Sequence, residues 1–493
     1  MLRRARIAAA VAALIGCRDL NLTEPAGHPP PVGIQPSVMV FGTTLIGAPL
    51  GGSFGLATAV NDLGQVVGQS SQPGDLDPPL GFLWTAGTVL PLRGLSGQTW
   101  STLAADVNAF GLIVGEGEQS GGPGERHAIV WEGGDPTRLI TTPFSQSSIF
   151  FAVGVNDVGQ IIGGYVTGKL HALFWANKSA DPIELHGILG SDWGEDVEAF
   201  GINNQGVIVG SQESGPGVRP VVWLTPTALP VPLLGPDGTL VQGIARSIND
   251  LGQIVGEIQP EDGLPHAAFW PGPAAPAVVL HDPRSRNSSA TAINELGQIA
   301  GWASLPPPGI EYRRPVLWMP AAGTFTAFEL FDLGTPPAET IADNFGQIAD
   351  LNNNGQAVGQ SSLAPSLAQL WDIPLRAALE ITPAEIKLDG NGRVTATIVG
   401  SQWFNAAGID PTSLTLGNDD GNETAINFKK KVTPVATLVD QNRDGFPDLV
   451  AEFAEDRLMA NGDLFVGAER LVLLGRFRNG KYLWGARGVS VAP

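Results

Sequence analysis

A motif that recurs seven times constrains this chain more than any other feature: an apolar alternating run ending in Asn, a short turn closing on Gly, and a second apolar run ending in Gly. The first copy is Ala59-Val60-Asn61-Asp62-Leu63-Gly64-Gln65-Val66-Val67-Gly68. The Asn returns at Asn108, Asn156, Asn203, Asn249, Asn294 and Asn352, at intervals of 47, 48, 47, 46, 45 and 58 residues. Asn at the first turn position can bond the backbone ahead of it, and Gly at the fourth takes positive φ without a Cβ clash. Each copy therefore predicts a hairpin. A run ending in Trp follows each one, at Trp84, Trp131, Trp175, Trp223, Trp270, Trp318 and Trp371, so seven of the twelve tryptophans share one repeat position. One more apolar stretch comes after it, such as Thr88-Val89-Leu90-Pro91-Leu92, which makes about four strands per unit.

Four-stranded units of this length match the ~40–50-residue period of propeller blades and exceed that of most solenoids. The expected architecture is all-β, with residues 38–377 forming a seven-bladed β-propeller. Such a ring must close. Residues 38–45, Val38-Met39-Val40-Phe41-Gly42-Thr43-Thr44-Leu45, read as an orphan fourth strand, and the unit ending at Trp371 has the weakest fourth strand of its own. The first segment is therefore expected to complete the last blade. The alternative, an open β-solenoid, needs capping units, and the sequence offers none. Gly 64 and Pro 40 fit as turn punctuation in such a chain.

The repeats resemble those of the HAF-repeat family of extracellular bacterial proteins, which read Ile-Asn-x-x-Gly-Gln-Val-Val-Gly followed by His-Ala-Phe-x-Trp. Ile248-Asn249-Asp250-Leu251-Gly252-Gln253-Ile254-Val255-Gly256 keeps the first half faithfully. The second half is kept at His127-Ala128, His171-Ala172 and His266-Ala267, while Arg219 and Arg314 replace His in two units and Leu80 and Leu367 in two more. The resemblance implies an exported repeat protein and no established reaction.

The N-terminus has a basic start (Arg3, Arg4, Arg6), an apolar run from Ile7 to Ile15, and small residues before a processing point, which is the layout of a secretory signal. Leu14-Ile15-Gly16-Cys17 resembles the lipobox of bacterial lipoproteins, which implies cleavage of residues 1–16 and a diacylglycerol on Cys17, the chain's single cysteine. The membrane would then be met through lipid alone. The proline-rich residues 17–37 read as a tether. Arg18 stands where an aspartate would resemble an inner-membrane retention signal, which favours the outer membrane.

Residues 378–493 change character to alternating runs such as Val394-Thr395-Ala396-Thr397-Ile398-Val399, expected to form a small β-sandwich that resembles a C-terminal domain of secreted bacterial proteins. Within it, Asp440-Gln441-Asn442-Arg443-Asp444-Gly445-Phe446-Pro447-Asp448 spaces oxygen donors as a structural calcium ion needs them. Asp440, Asn442, Asp444 and Asp448 would supply side chains and Phe446 its carbonyl. The loop resembles those of the integrin-type and dockerin-type families, with Ala451 at the EF-hand's glutamate position.

Evidence of chemistry is sparse. Gly163-Gly164-Tyr165-Val166-Thr167-Gly168-Lys169-Leu170 has the spacing of a phosphate loop but lacks the following Ser or Thr and sits between two strands. The repeat His and Arg positions share N–H donation, which points to a structural bond toward a neighbouring blade. Asp192, Glu195, Asp196 and Glu198 form an acidic loop. With 28 Lys+Arg against 48 Asp+Glu, a net charge of −20 excludes nucleic-acid binding. The expected function is a monomeric, non-enzymatic binding or structural module at the cell surface, with a glycan or protein ligand. A carbohydrate-active hydrolase or lyase using Asp192 and Asp196 is the alternative.

Overall fold

The computed structural model describes residues 42–493 apart from residues 76, 96–100, 119–124, 145–146, 148, 189–195, 215–216, 261–262, 281–284, 306–311, 321–327, 334–345, 361–366, 389–391, 419–422, 431 and 493. The signal segment, Cys17, the tether and residues 38–41 lie outside the described residues, as do Asp192 and Glu195. Among the described residues no helix is long and apolar enough to cross a membrane.

The chain is all-β, and its contacts divide it into two compact units, one holding Thr43–Trp318 with Asp332–Trp371, the other holding Asp372–Pro493. In the first unit each motif builds one four-stranded sheet. The first sheet orders Gly55–Val60, Gln65–Ser70, Leu80–Thr85 and Thr88–Leu92 as successive antiparallel neighbours. Five more start at Thr102–Val107, Phe150–Val155, Val197–Ile202, Gln242–Ile248 and Ser288–Ile293. In the seventh, Gln347–Leu351, Gln356–Gln360 and Ala368–Asp372 are joined on the outside by Gly42–Gly47, a strand from ahead of the first motif.

The motif's Asn organises the turn and links the sheets. Asn249 Oδ1 accepts from the N–H groups of Leu251 (3.1 Å) and Gln253 (2.9 Å), while Nδ2 donates to Gln253 Oε1 (2.9 Å) and to the carbonyl of Asn294 in the next sheet (3.1 Å). The same outward bond runs from Asn61 to Asn108, on to Asn156, Asn203 and Asn249, from Asn294 to Asn352, and from Asn352 back to Asn61 at 2.8 Å. All seven side chains are buried. The result is a closed hydrogen-bonded ring. Asn249→Ala deletes four such bonds in a site without water access, so a loss of about 2 kcal/mol in unfolding free energy is expected, measured by urea denaturation.

Tryptophan fills the gap between sheets. Trp131, Trp175, Trp223, Trp270, Trp318 and Trp371 are fully buried and Trp84 is half-buried. The indole N–H reaches back to the preceding sheet's connection, from Trp131 to the Arg93 carbonyl, Trp175 to Ile140, Trp223 to His186 and Trp270 to Leu234, at 2.7–2.9 Å.

The motif's closing Gly has a different job. Each first strand carries a register shift that leaves one residue bulged, three positions before the Asn, as between Ala57 and Ala59 or Ala245 and Ser247. Directly opposite the residue before the bulge stands the closing Gly: Ala57 faces Gly68, Ala104 Gly115, Ala152 Gly163, Ala199 Gly210, Ala245 Gly256, Ala290 Gly301 and Ile348 Gly359. A Cβ on any of these glycines would sit 1.9–2.1 Å from a first-strand carbonyl oxygen. The bulge exists because nothing projects from the facing strand.

The second unit holds a five-stranded sheet ordered Leu375–Arg376, Tyr482–Gly488, Arg470–Phe477, Ile409–Gly417 and Thr424–Ala425, and a four-stranded sheet ordered Ala378–Thr382, Arg393–Val399, Asp448–Ala454 and Ala436–Val439. Leu379, Ile381, Val394, Ala396, Phe453, Leu414, Leu473 and Trp484 are buried on these strands. One helix, Glu455–Asn461, was not expected from the sequence; it carries Glu455 and Asp456 in its first turn and ends at Gly462, φ +83°, whose N–H returns to Leu458 and Met459.

Candidate functional site

The bulges converge. Their seven residues, Thr58, Ala105, Val153, Phe200, Arg246, Thr291 and Ala349, one from each sheet, all line a single cavity of about 150 Å³. A bulge re-aims the side chain it carries, and here the seven bulged residues share one cavity wall, in which Thr58 Oγ1 donates to the Ala104 carbonyl and Thr291 Oγ1 to the Ile348 carbonyl of the following sheet.

The next residue along each strand is small in five sheets, Ala59, Gly154, Gly201, Ser247 and Ala292, and acidic in two, Asp106 and Asp350. Asp106 accepts from the N–H of Val107 at 2.7 Å and from that of Val155 in the following sheet at 2.8 Å. Asp350 accepts from the N–H of Val60 across the ring closure at 2.9 Å. Burial pushes Asp106 up to about 6 and Asp350 up to about 7, the latter also feeling the charge of Asp106. Across the ring stands Arg246, whose Nη2 lies 3.1 Å from Glu257 Oε1 and whose guanidinium lies 5.9 Å from the centre of the Phe200 ring. The cavity thus has a doubly acidic wall facing an aromatic wall whose one cation is already paired with a carboxylate.

A second ring runs through the turns that the Asn residues open, close enough to the cavity for Asp350 to feel the charge of Asp62. The side chain just after each Asn accepts the N–H of its counterpart in the preceding sheet at 2.8 Å: Asp157 from Ala109, Asn204 from Asp157, Asp250 from Asn204, Glu295 from Asp250, Asn353 from Glu295 and Asp62 from Asn353. Ala109 is the one break, since it has nothing to offer Asp62. Four carboxylates therefore gather there. Burial, with Asp250, Asp62 and Asp157 nearby, pushes Glu295 up to about 7, and its Oε2 is buried without a hydrogen-bond donor among the described residues.

Other expected residues are placed as follows. In the 440–448 loop, Asp440 Oδ1 and Oδ2 accept from the N–H groups of Asp444 and Gly445, both at 3.1 Å, and Asp444 Oδ1 accepts from that of Phe446 at 2.9 Å. Asn442 Nδ2 donates to Asp444 Oδ2 at 2.8 Å. Asp448 is buried, and its oxygens accept from Gly400 N–H at 2.9 Å and Gln441 N–H at 2.8 Å. Among the described residues no three of His, Cys, Asp and Glu converge as metal ligands.

His171 is held inside its own sheet, not across to a neighbour: Nδ1 lies 2.8 Å from Glu184 Oε1, Nε2 lies 2.9 Å from Thr167 Oγ1, and the ring stacks on Tyr165 at 4.5 Å, whose hydroxyl donates to the same Glu184 oxygen. His127 is buried, and burial together with Arg138 lowers its pKa, leaving it neutral at pH 7. The phosphate-loop-like segment is a turn between the antiparallel strands Ile161–Val166 and Leu170–Trp175, with no helix opening from it. Asp196 accepts from Leu170 N–H at 2.9 Å.

No family model matches the chain, and no curated protein matches it. Among solved structures it is similar to a puromycin-hydrolysing peptidase of Mycobacterium tuberculosis, at 12% identity over 70% of this chain and 57% of that one, TM-score 0.42. A structure from a study of two prolyl endopeptidases matches at 13% identity over 54% of this chain and 38% of that one, TM-score 0.31. The chain thus spans less than two thirds of either protein.

Proposed function

We propose that the seven sheets are the blades of a β-propeller followed by a β-sandwich, exported and anchored at the outer membrane through lipid on Cys17, and that the protein is a monomeric binding module without enzymatic chemistry at its axis. The Asn ring supports the closed arrangement. The observation that carries the function is the axial cavity, which the bulged residues of all seven sheets line and where two of the lining residues are carboxylates kept there at a cost in stability. The ligand is a cationic group, an ammonium or guanidinium borne by a surface protein or amino-bearing glycan. Two acidic side chains, with four more on the ring of turns, attract it and orient it.

Isothermal titration of n-butylamine into the full chain tests this. Saturable binding is expected at pH 8, at least tenfold weaker in the Asp106→Asn/Asp350→Asn variant and at pH 5, where Asp350, Glu295 and Asp106 take up protons. Absence of saturable binding at pH 8 overturns the reading. The alternative, a carbohydrate-active hydrolase or lyase, is favoured by one observation, the stacked Tyr165–His171 pair on Glu184. A reducing-sugar and unsaturated-product assay over a polysaccharide panel distinguishes the two, with no product expected.

Calcium at the 440–448 loop belongs to the same proposal. The donors are hard oxygens, which suits calcium, and Asp440, Asn442, Asp444 and the Phe446 carbonyl would hold it with Asp448 at the loop's base. As placed, the carboxylates bond backbone N–H groups, so the ion would have to replace those bonds. Calcium at ~100 times its Kd would add ~2.7 kcal/mol. Calorimetry of the full chain is expected to show one transition rising by several degrees with calcium over chelator; identical traces would remove calcium from the reading.

A further inference from the structure

The residue two after each Asn forms a third ring, and it is apolar where the turn does not require it. Leu63, Phe110, Val158 and Leu251 are 67%, 80%, 64% and 60% exposed. Gln205 and Asn354 occupy the same position and donate the same backbone N–H to their Asn as Leu63, Phe110 and Leu251 do. Polar side chains make this turn equally well, so the apolar ones are not there for the turn. Singly scattered apolar residues on a surface are ordinary; apolar residues aligned by repeat position on one face are not. Leu63, Phe110 and Val158 stand on three consecutive turns, and Ala109, beside Phe110, is where the acidic ring is interrupted. An apolar arc therefore borders the acidic ring of the turns.

We propose that this face docks a segment of another protein in which one Lys or Arg is flanked by apolar side chains. The cation enters the axial cavity toward Asp106 and Asp350, and its apolar neighbours cover Leu63, Phe110 and Val158. The proposal rests on the axial cavity being a cation site. Charge complementarity selects the occupant: the ring of turns carries Asp62, Asp157, Asp250 and Glu295, and Glu295 Oε2 is a buried acceptor with no donor among the described residues, suited to an incoming N–H. A chain of net charge −20 disfavours anionic lipid and nucleic acid on the same face.

The test is fluorescence anisotropy of a labelled dodecapeptide with one Lys among Leu and Phe, titrated with the full chain at pH 8. Saturable binding is expected, at least tenfold weaker for the peptide with Lys→Gln and for the chain with Phe110→Ser; Val158→Ser takes its place should Phe110→Ser lower the melting temperature. Equal affinity for the Lys→Gln peptide, or for a folded Phe110→Ser chain, overturns the proposal. So does flotation with phosphatidylcholine vesicles that depends on Phe110, which would make the face membrane-seeking. The n-butylamine titration separates the two levels. If the amine binds and the peptide does not, docking falls and the cavity reading stands; if neither binds, both fall.

Discussion

Gly256→Ala is expected to lower the unfolding free energy by ~3 kcal/mol or more. The added Cβ would lie 2.0 Å from the Ile244 carbonyl oxygen and 3.0 Å from Ala245 Cα, both backbone atoms of a strand paired on its other contacts, so relief requires the ladder to open. Gly252 in the same motif is the control. It has φ +76° with nothing within 4 Å of its Cβ position, so Gly252→Ala carries only the left-handed conformational penalty of ~1–2 kcal/mol. Urea denaturation midpoints at constant m-value decide the matter; equal losses for the two variants would show that the closing glycine is conformational and not a response to the bulge. Opening the ladder would also deform the cavity wall that Arg246, Ser247 and Ile248 form, so n-butylamine binding is expected to weaken along with stability.

Stability should fall as pH rises from about 4 to about 8. The folded state holds protons on Asp106 up to about 6 and on Asp350 and Glu295 up to about 7, whereas the unfolded chain releases them near 4, so the folded state binds more protons throughout that window and is favoured at its acidic end. For each of the two axial aspartates the effect is on the order of 3 kcal/mol. His127, with its pKa lowered by burial, works in the opposite direction below about 6.5. The Asp106→Asn/Asp350→Asn variant isolates the carboxylates: it should be more stable than the parent at pH 8 and show a flatter profile. A parent and variant with the same slope between pH 5 and 8 would show that the axis carries no such burden. The reading also predicts that a cationic ligand recovers stability most at high pH.

The repeat made most of the first unit legible. Asn, turn Gly, closing Gly and Trp each recur at fixed spacing because each answers a local or adjacent-sheet demand: turn capping, positive φ, backbone clearance and inter-sheet packing. The bulge was not legible, because it is a matter of register between two strands, and an alternating apolar run looks the same with or without it. For that reason Asp106 and Asp350 do not stand out in the sequence as loop acids such as Asp196 do. Their signal was present, since both are acids in a repeat column otherwise held by Ala, Gly and Ser. Phe110 and Leu63 carried a similar signal against Gln205 and Asn354. In the second unit the strand runs are readable, but the helix Glu455–Asn461 is only 7 residues long among strand runs, marked only by its acidic start and by Gly462 at its end. Asp448 read as one of a local set, yet its bond to Gly400 reaches across 48 residues, a distance no spacing pattern reveals.

The Asn ring closes through a bond that spans 291 residues, from Asn352 to Asn61, and the seventh sheet borrows its outer strand from the start of the described chain. No repeat is therefore an end. In an open stack the terminal repeats melt first and the rest unzip behind them; in this circle every sheet has two neighbours, so the first unit should come apart in one step or not at all. The same closure makes assembly wait. A chain emerging from the ribosome cannot seal the circle until its last repeat has arrived, and a nick in any loop between sheets, with both pieces retained, should leave the circle standing.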